Sequence, residues 1–346
     1  MMTGARRVAA VIGSAVALVV ACGTGVQSQG QPPAAVDVVT DLDVPWGIAF
    51  LPDGTALIAE RNSGAIRHLR APGAADQVGS VAGVAARGEG GLLGIATTGT
   101  TVFAYLTTGQ DNRVVRMGFD GGALTGQTPI LTGIPAGSIH DGGRIAFGPD
   151  GKLYIATGDS GDRALAQDRD SLGGKILRVN SDGSIPPDNP DPASPVWSFG
   201  HRNIQGLAWD GAGRLWATEY GANAFDELNL IEPGGNYGWP MAEGRAGTPG
   251  LIDPVVQWST DEASPSGLAY YGGALWVAAL RGQRLYRIPV GGDGAVGAAT
   301  PLFAGQYGRL RTVVAAPDGS LWFTTSNRDG RGDPRDGDDR ILSLRP

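Results

Sequence analysis

The stretch that decides the fold is Pro149-Asp150-Gly151-Lys152-Leu153-Tyr154-Ile155-Ala156. It sets a tight Asp-Gly turn, which permits positive φ, directly before a short run that favours a β-strand. Similar segments recur, some with the complete Pro-Asp-Gly turn and others with a less complete turn motif. There are six copies in all: residues 52–59, 98–105, 149–156, 211–218, 272–278 and 317–324. Each copy predicts a hairpin that joins two short strands.

A second repeat precedes each turn and consists of small and branched residues. Its copies are Trp46-Gly47-Ile48-Ala49-Phe50, Gly94-Ile95-Ala96, Arg144-Ile145-Ala146-Phe147, Gly206-Leu207-Ala208-Trp209, Gly267-Leu268-Ala269-Tyr270 and Thr312-Val313-Val314-Ala315. Such residues suit crowded inner strands around an axis, and a spacing of roughly 45 to 60 residues suits a four-stranded blade. We therefore predict an all-β chain folded as a six-bladed β-propeller, with a two-sheet sandwich as the alternative.

The amino terminus has the pattern of a bacterial export signal. Arg6 and Arg7 precede an apolar run, and Val19-Val20-Ala21-Cys22 resembles a lipobox. This pattern predicts a lipoprotein signal peptide over residues 1–21, a lipidated Cys22, a flexible tether over 22–35 and the propeller over 36–346. The expected location is the outer face of the cell membrane, held there by acyl chains; a signal peptide with an incidental cysteine is the alternative.

Composition excludes several classes of protein. The formal net charge is −7 and the pI is about 5.0, which argues against a nucleic-acid partner, since phosphate binding needs a basic footprint. With one cysteine, the chain cannot form an internal disulfide, so its stability must come from the core.

His140 is the first candidate catalytic residue. It stands in His140-Asp141-Gly142-Gly143-Arg144, among glycines just ahead of a predicted strand, and the chain has only three histidines. We interpret it as an exposed base that Asp159, after the following strand, can orient. A surface histidine in a turn is the structural alternative.

Three further clusters precede or follow the repeated strands. Arg202 and Asn203 come before one inner strand, and Arg309 and Arg311 lie two residues apart, hence on one side of an extended segment. Paired guanidinium groups favour a polycarboxylate ligand, whereas pairing with acidic residues such as Asp336 or Asp338 is the structural alternative. Residues 219–227 and 234–240 supply carboxylates and carbonyls, the hard oxygen donors that calcium prefers.

Together these motifs resemble the soluble quinoprotein glucose/sorbosone dehydrogenase family, and within it the aldose sugar dehydrogenases that depend on pyrroloquinoline quinone (PQQ). The resemblance covers about residues 36–346. It is carried by Val44-Pro45-Trp46-Gly47, residues 88–94, His140 to Gly151, Gly200-His201-Arg202-Asn203, Asp226-Glu227-Leu228-Asn229, residues 234–240 and Arg309-Leu310-Arg311. The family's fold is a six-bladed propeller, which agrees with the repeat count.

The resemblance implies a role for each candidate residue. His140 matches the catalytic base and Asp159 a carboxylate beside it. The positions that match quinone-binding groups are Glu89, Arg202, Asn203, Arg281, Arg309 and Arg311, of which Arg202 would also polarise the quinone in catalysis. The carbonyls of Gly221 and Ala222 match ligands of the cofactor's calcium, and Glu227 with the Tyr237 carbonyl resembles a second, structural calcium site.

Two positions depart from the family pattern. Glu89 stands where the glucose-oxidising members place glutamine, and Ala222 replaces the usual proline. The resulting prediction is a PQQ- and calcium-dependent enzyme that oxidises the anomeric hydroxyl of an aldose to a lactone, with an electron acceptor that the sequence does not identify. The alternatives are a cofactor-free propeller that binds cell-envelope sugars or a protein partner, and a calcium-dependent lactonase.

Overall fold

The computed structural model describes residues 1–5 and 34–346. The predicted lipidation site Cys22, nearly all of the predicted signal peptide and most of the tether lie outside the described residues. Within the described part of the chain, no helix is long and apolar enough to cross a membrane.

Residues 35–344 form 24 strands and one short 3₁₀ helix, Arg163–Ala166. In chain order the strands are β1 Ala35–Val39, β2 Pro45–Phe50, β3 Ala56–Glu60, β4 Ala65–Ala71, β5 Ala74–Ser80, β6 Leu92–Thr98, β7 Thr101–Thr107, β8 Asn112–Phe119, β9 Leu124–Ile134, β10 Ile145–Phe147, β11 Leu153–Ala156, β12 Lys175–Val179, β13 Val196–Phe199, β14 Ile204–Trp209, β15 Leu215–Glu219, β16 Phe225–Ile231, β17 Val256–Ser259, β18 Pro265–Tyr271, β19 Ala274–Ala279, β20 Arg284–Pro289, β21 Thr300–Leu302, β22 Leu310–Ala315, β23 Leu321–Thr325 and β24 Ile341–Leu344.

These strands pair into six antiparallel four-stranded sheets, which are the blades of a propeller. Blades 1 to 5 are β2–β5, β6–β9, β10–β13, β14–β17 and β18–β21, and blade 6 combines β22, β23 and β24 with β1. The inner strands β2, β6, β10, β14, β18 and β22 contact one another in a closed ring. The six-bladed prediction is confirmed and the sandwich alternative is wrong, because all six repeated turns join the first and second strands of a blade.

Blade 6 closes the ring by joining the two ends of the propeller. β1 pairs with β24, and Val38 and Val39 pack beside Ile341 in one apolar cluster. The other clusters lie between neighbouring sheets; one of them, for example, joins Leu57 of blade 1 to Leu106 of blade 2. Large side chains on the second strands, such as Trp216 and Trp276, are almost fully buried there.

The topology brings the candidate residues to one face. Each inner strand starts at this face, which we call the upper face, and the loops between second and third strands return to it because neighbouring strands are antiparallel. Residues that precede inner strands therefore meet residues from those loops. The first group includes Glu89, His140, Arg202 and Arg309, and the second includes Asp159, Gly221, Arg281 and Asp329.

Candidate active site

The site is built around three side chains joined by hydrogen bonds: His140, Asp159 and Trp239. His140 Nδ1 lies 2.7 Å from Asp159 Oδ1, and the indole Nε1–H of Trp239 donates to Asp159 Oδ2 over 2.8 Å. Burial opposes ionisation of Asp159, but the hydrogen bonds from His140, Gly161 and Trp239 outweigh it and lower the pKa of this carboxyl. Asp159 is thus an ionised carboxylate that fixes the imidazole ring. The predicted partnership of His140 and Asp159 is present.

The backbone of His140 is held in an uncommon conformation. Its φ is 59°, in the left-handed region, and its N–H donates to Glu89 Oε2 over 2.9 Å. Gly158 makes this arrangement possible, because a Cβ on it would lie 1.8 Å from the carbonyl oxygen of His140. The side chain is only 12% exposed, so the expectation of an exposed base is corrected: the imidazole lies in the wall of a depression. Strain of this kind is concentrated at functional sites.

The depression opens at the upper face and has two levels. The wide upper chamber has a volume of about 400 Å³, and its wall includes His140, Arg202, Gly221, Arg281 and Arg309. A small lower chamber of about 30 Å³ continues inward between Trp46, Arg61, Gln205, Arg311 and Asp329. The two chambers share wall residues: Glu89, Tyr220, Leu280 and Arg331.

Arg309 and Arg311 approach the same carboxylate. Arg309 Nη2 lies 2.9 Å and Arg311 Nη2 3.8 Å from Asp329 Oδ2, which confirms that they share one side of the chain. Pairing with an acidic loop residue, the structural alternative, is therefore present, but the partner is Asp329 and not Asp336 or Asp338. Since one carboxylate faces two guanidinium groups, a positive charge remains. Burial, and after it the positive charge of Arg311, lowers the pKa of the Arg61 guanidinium.

Arg202 and Asn203 lie at different depths. Arg202 lines the upper chamber, its Nη1 donates to the Tyr220 carbonyl over 3.2 Å, and its guanidinium lies 5.5 Å from the Trp239 ring. Asn203 is fully buried behind that wall, where its Oδ1 accepts the Gly142 N–H. Arg202 is thus placed as predicted, whereas Asn203 does not line either chamber. Its Nδ2 has no hydrogen-bond partner.

The predicted calcium carbonyls belong to a tightly fixed loop. Glu243 Oε1 accepts the backbone N–H groups of Ala222, Asn223, Ala224 and Phe225 at 2.6 to 3.1 Å. Burial opposes ionisation of Glu243, but these four donors lower its pKa. Gly221 is required here because a Cβ would lie 1.8 Å from the Phe225 carbonyl oxygen. Glu243 thus fixes the loop whose Gly221 and Ala222 form part of the upper chamber.

The second predicted calcium position lies in a buried acidic neighbourhood. Glu227 pairs across the sheet with Glu219, and burial together with that neighbouring carboxylate raises the pKa of Glu227 to about 8. Glu219 accepts a hydrogen bond from His201 over 2.8 Å, and the His201 ring stacks on Tyr237 with 4.6 Å between centroids. Glu227 and Tyr237 are therefore linked through the side chains of Glu219 and His201. Among the described residues, no three His, Cys, Asp or Glu side chains form a metal cluster.

Comparison with known proteins places this architecture in a family. The family model for glucose/sorbosone dehydrogenases matches residues 42–333. This chain belongs to the glucose/sorbosone dehydrogenase family. It is 52% identical to the PQQ-bound form of the aldose sugar dehydrogenase of Streptomyces coelicolor, with a TM-score of 0.87 over 90% of this chain and 98% of that one.

Two curated relatives extend the comparison. Aldose sugar dehydrogenase YliI of Escherichia coli is 32% identical over 85% of this chain and 91% of the relative. The uncharacterized protein slr1608 of Synechocystis is 36% identical over 88% of this chain and 87% of the relative.

For this family member, sequence reasoning missed several residues of the depression. Arg331 lines both chambers and pairs with Glu89 Oε1 at 2.9 Å, although 242 positions separate the two residues. The segment Asn327-Arg328-Asp329-Gly330-Arg331 follows a repeated strand, which is the available signal for it. Arg281 lines the upper chamber as predicted, but it is 58% exposed and pairs with Asp261 at 2.6 Å.

Trp239→Phe tests the chain of hydrogen bonds. The change keeps an aromatic ring and removes the N–H that Asp159 accepts, so the pKa of Asp159 should rise. The loss of one hydrogen bond to a charged group corresponds to about 1.5–3 kcal/mol, or a rise of about one to two pH units. Carboxyl-detected NMR titration of the protein without added cofactor measures the shift.

Trp197→Phe is the matched control, because the half-buried Trp197 Nε1 has no hydrogen-bond partner. It should leave the Asp159 titration unchanged. Equal titration curves for the wild type and Trp239→Phe would contradict the assigned role of the indole.

Proposed function

We propose that this chain is a PQQ- and calcium-dependent dehydrogenase that oxidises the anomeric hydroxyl of aldose sugars to lactones. The observation that carries the proposal is a depression in which an oriented imidazole faces an excess of guanidinium groups. Membership of the glucose/sorbosone dehydrogenase family and the likeness to a PQQ-bound aldose sugar dehydrogenase support it.

The residues present fit a planar polycarboxylate such as PQQ. Six guanidinium groups line the two chambers beside four carboxyl groups; the arginines are Arg61, Arg202, Arg281, Arg309, Arg311 and Arg331, and the acids are Glu89, Asp141, Asp226 and Asp329. Buried donors in and around the chamber walls also lack partners: Arg202 Nε, Asn203 Nδ2, Tyr220 Oη and Arg311 Nε. Buried donors are normally satisfied, so these atoms indicate a ligand or ordered water. Arg309, Arg311 and Arg202 would hold the carboxylates and carbonyls.

The loop at Gly221 and Ala222 fits a calcium ion bound with the cofactor. Its backbone N–H groups turn toward Glu243, and within the described residues neither the Gly221 nor the Ala222 carbonyl accepts a hydrogen bond. Asp226 lies in the same wall, where burial raises its pKa to about 6. Replacement of the family's proline by Ala222 leaves these carbonyls available, because they belong to the backbone.

The chain's own residues supply the base and its orientation. A neutral His140 that donates from Nδ1 to Asp159 leaves the Nε2 lone pair free to take the proton of the anomeric hydroxyl. As His140 becomes an imidazolium, the ionised Asp159 stabilises the new charge. Bound PQQ would supply the two-electron oxidant for this reaction, because the anomeric carbon must lose a hydride as its hydroxyl loses a proton to His140. Arg202 would polarise the quinone carbonyl.

We infer that Cys22 carries lipid and holds the enzyme at the outer face of the membrane, and that an external acceptor reoxidises the quinone. A cofactor-free binding protein would bind sugar without PQQ, and a lactonase would hydrolyse lactones with calcium alone.

His140→Asn tests the catalytic role. Loss of the general base should lower kcat by about two to four orders of magnitude, because the hydroxyl proton then has no positioned acceptor. Quinone affinity should change little, since His140 is not one of the cationic groups. Dye reduction by assorted aldoses measures kcat in the protein reconstituted with PQQ and calcium, and tryptophan quenching measures binding.

His68→Asn is the control, because His68 lies buried on β4 outside the depression. A kcat in His140→Asn equal to that of the wild type would contradict the base assignment. Failure of the wild type to bind PQQ at micromolar concentration would contradict the proposed function.

Calcium removal tests the second metal position. If a cation neutralises Glu227 and Glu219, a chelator should lower the melting temperature, because a ligand bound only by the folded state stabilises it. At a calcium concentration of 100 Kd that stabilisation is about 2.7 kcal/mol, which corresponds to several degrees. Glu227→Gln should remove the dependence on calcium.

Glu232→Gln is the control because Glu232 lies exposed just beyond the same strand. If the melting curves of the wild type with and without chelator coincide, the proposed structural calcium site is contradicted. This measurement does not address the calcium bound with the cofactor.

A further inference from the structure

The opposite, lower end of the propeller channel contains a second cavity. Its volume is about 490 Å³, and every inner strand contributes to its wall. One alanine from each blade stands in that wall: Ala49, Ala96, Ala146, Ala208, Ala269 and Ala315. Five of these alanines occupy the same position in their strands, whereas blade 6 places Val314 there and Ala315 one residue later. These small side chains leave the channel open where larger ones would fill it. We call this cavity the lower-face chamber.

The mouth of the lower-face chamber has an aromatic rim. Four inner strands place an aromatic residue directly after the wall alanine, namely Phe50, Phe147, Trp209 and Tyr270. All four are partly exposed. Aromatic rings at a cavity mouth favour a flat apolar ligand over a strongly hydrated ligand.

Arg144 lies at the inner end of this chamber. Its side chain crosses the channel from blade 3, where Nε donates to the Gln205 carbonyl over 3.0 Å and Nη2 to Thr312 Oγ1 over 3.1 Å. The guanidinium lies 4.2 Å from the Trp46 ring centroid. Arg144 lines the lower-face chamber but neither level of the upper depression, so it separates the two cavities.

The charge of Arg144 is not compensated by the protein. The residue is 9% exposed, and among residues 1–5 and 34–346 no carboxylate forms an ion pair with it. Burial and the neighbouring Arg311 lower the pKa of Arg144 to about 9. A buried guanidinium is rarely left without an anion, because its desolvation is costly. Its Nη1 group donates no hydrogen bond to the described protein, and so remains available to a ligand in the chamber.

We propose that the lower-face chamber is a binding site for a small aromatic monocarboxylate. The carboxylate accepts hydrogen bonds from Arg144 at the inner end, and the ring lies between the alanine wall and the aromatic rim. One guanidinium matches one carboxylate, and apart from Thr97 and the Tyr270 hydroxyl the remaining side chains of the wall are apolar, which disfavours polyanions. The site is separate from the proposed quinone site and does not depend on the dehydrogenase activity.

Ligand-observed NMR on the full chain without quinone, with benzoate and benzyl alcohol as probes, tests the site. The two probes share the ring and differ in the charge. We expect benzoate to bind saturably and at least about tenfold more tightly than benzyl alcohol, as one charged hydrogen bond implies. Arg144→Met should remove this preference, and Arg144→Lys should retain most of it.

Ala146→Leu is an independent variant that fills the chamber without changing its charge. It should weaken the binding of both probes, and it keeps the test decisive if Arg144→Met fails to fold. Equal affinities for the two probes, or no saturable binding of benzoate, would overturn the proposal. Binding that survives in Arg144→Met but disappears in Arg309→Gln/Arg311→Gln would place benzoate in the upper depression and would overturn it as well.

Discussion

Mutual repulsion among clustered arginine side chains, of which Arg61, Arg309 and Arg311 are buried, governs the upper end of the channel. Arg61, Arg309, Arg311 and Arg331 line one depression, and Arg144 lies just beneath it. The whole chain carries a net charge of −7, so this concentration of positive charge is local. Asp329 and Glu89 offset part of it, and the uncompensated charge opposes folding. An anionic ligand that neutralises this charge should therefore stabilise the fold as well as supply chemistry.

The propeller tolerates this repulsion because its stability is generated elsewhere. Apolar clusters between adjacent sheets bury residues such as Trp216, Trp276 and Phe323, and the pairing of β1 with β24 joins the two ends of the ring. The loops on the upper face add only a few residues to these clusters, such as Leu42, Leu172 and Ala263. They can carry strained or repulsive groups, including the positive φ of His140, at a cost that the blades offset.

The sequence predicted what depends on local patterns. Repeated Asp-Gly and Gly-Gly turns fixed the number of blades, and the i, i+2 spacing placed Arg309 and Arg311 on one side. Asp159 was found because it follows the strand after His140. Pairings created by closure of the ring were missed, since Arg331 and Glu89 are 242 positions apart and Arg144 and Thr312 are 168 apart. Trp239 lies in the motif at residues 234–240, and Asp329 follows the repeated strand β23. Only the structure shows which side chains these two residues contact. Asn203 lies fully buried outside both chamber walls, and a position just before β14 does not by itself distinguish a wall residue from a core residue.

The central claim is that the surplus guanidinium charge binds an anionic quinone. Its most direct measurement is a PQQ titration of the calcium-loaded apoprotein, followed by tryptophan quenching, in the wild type, Arg309→Gln/Arg311→Gln and Asp329→Asn. Two lost charged hydrogen bonds of about 1.5 kcal/mol each predict roughly a hundredfold weaker binding in the double variant. Asp329→Asn removes a competing anion and should bind PQQ at least as tightly as the wild type, and Arg345→Gln, at an exposed ion pair, should match the wild type. Wild-type affinity in the double variant would contradict the account.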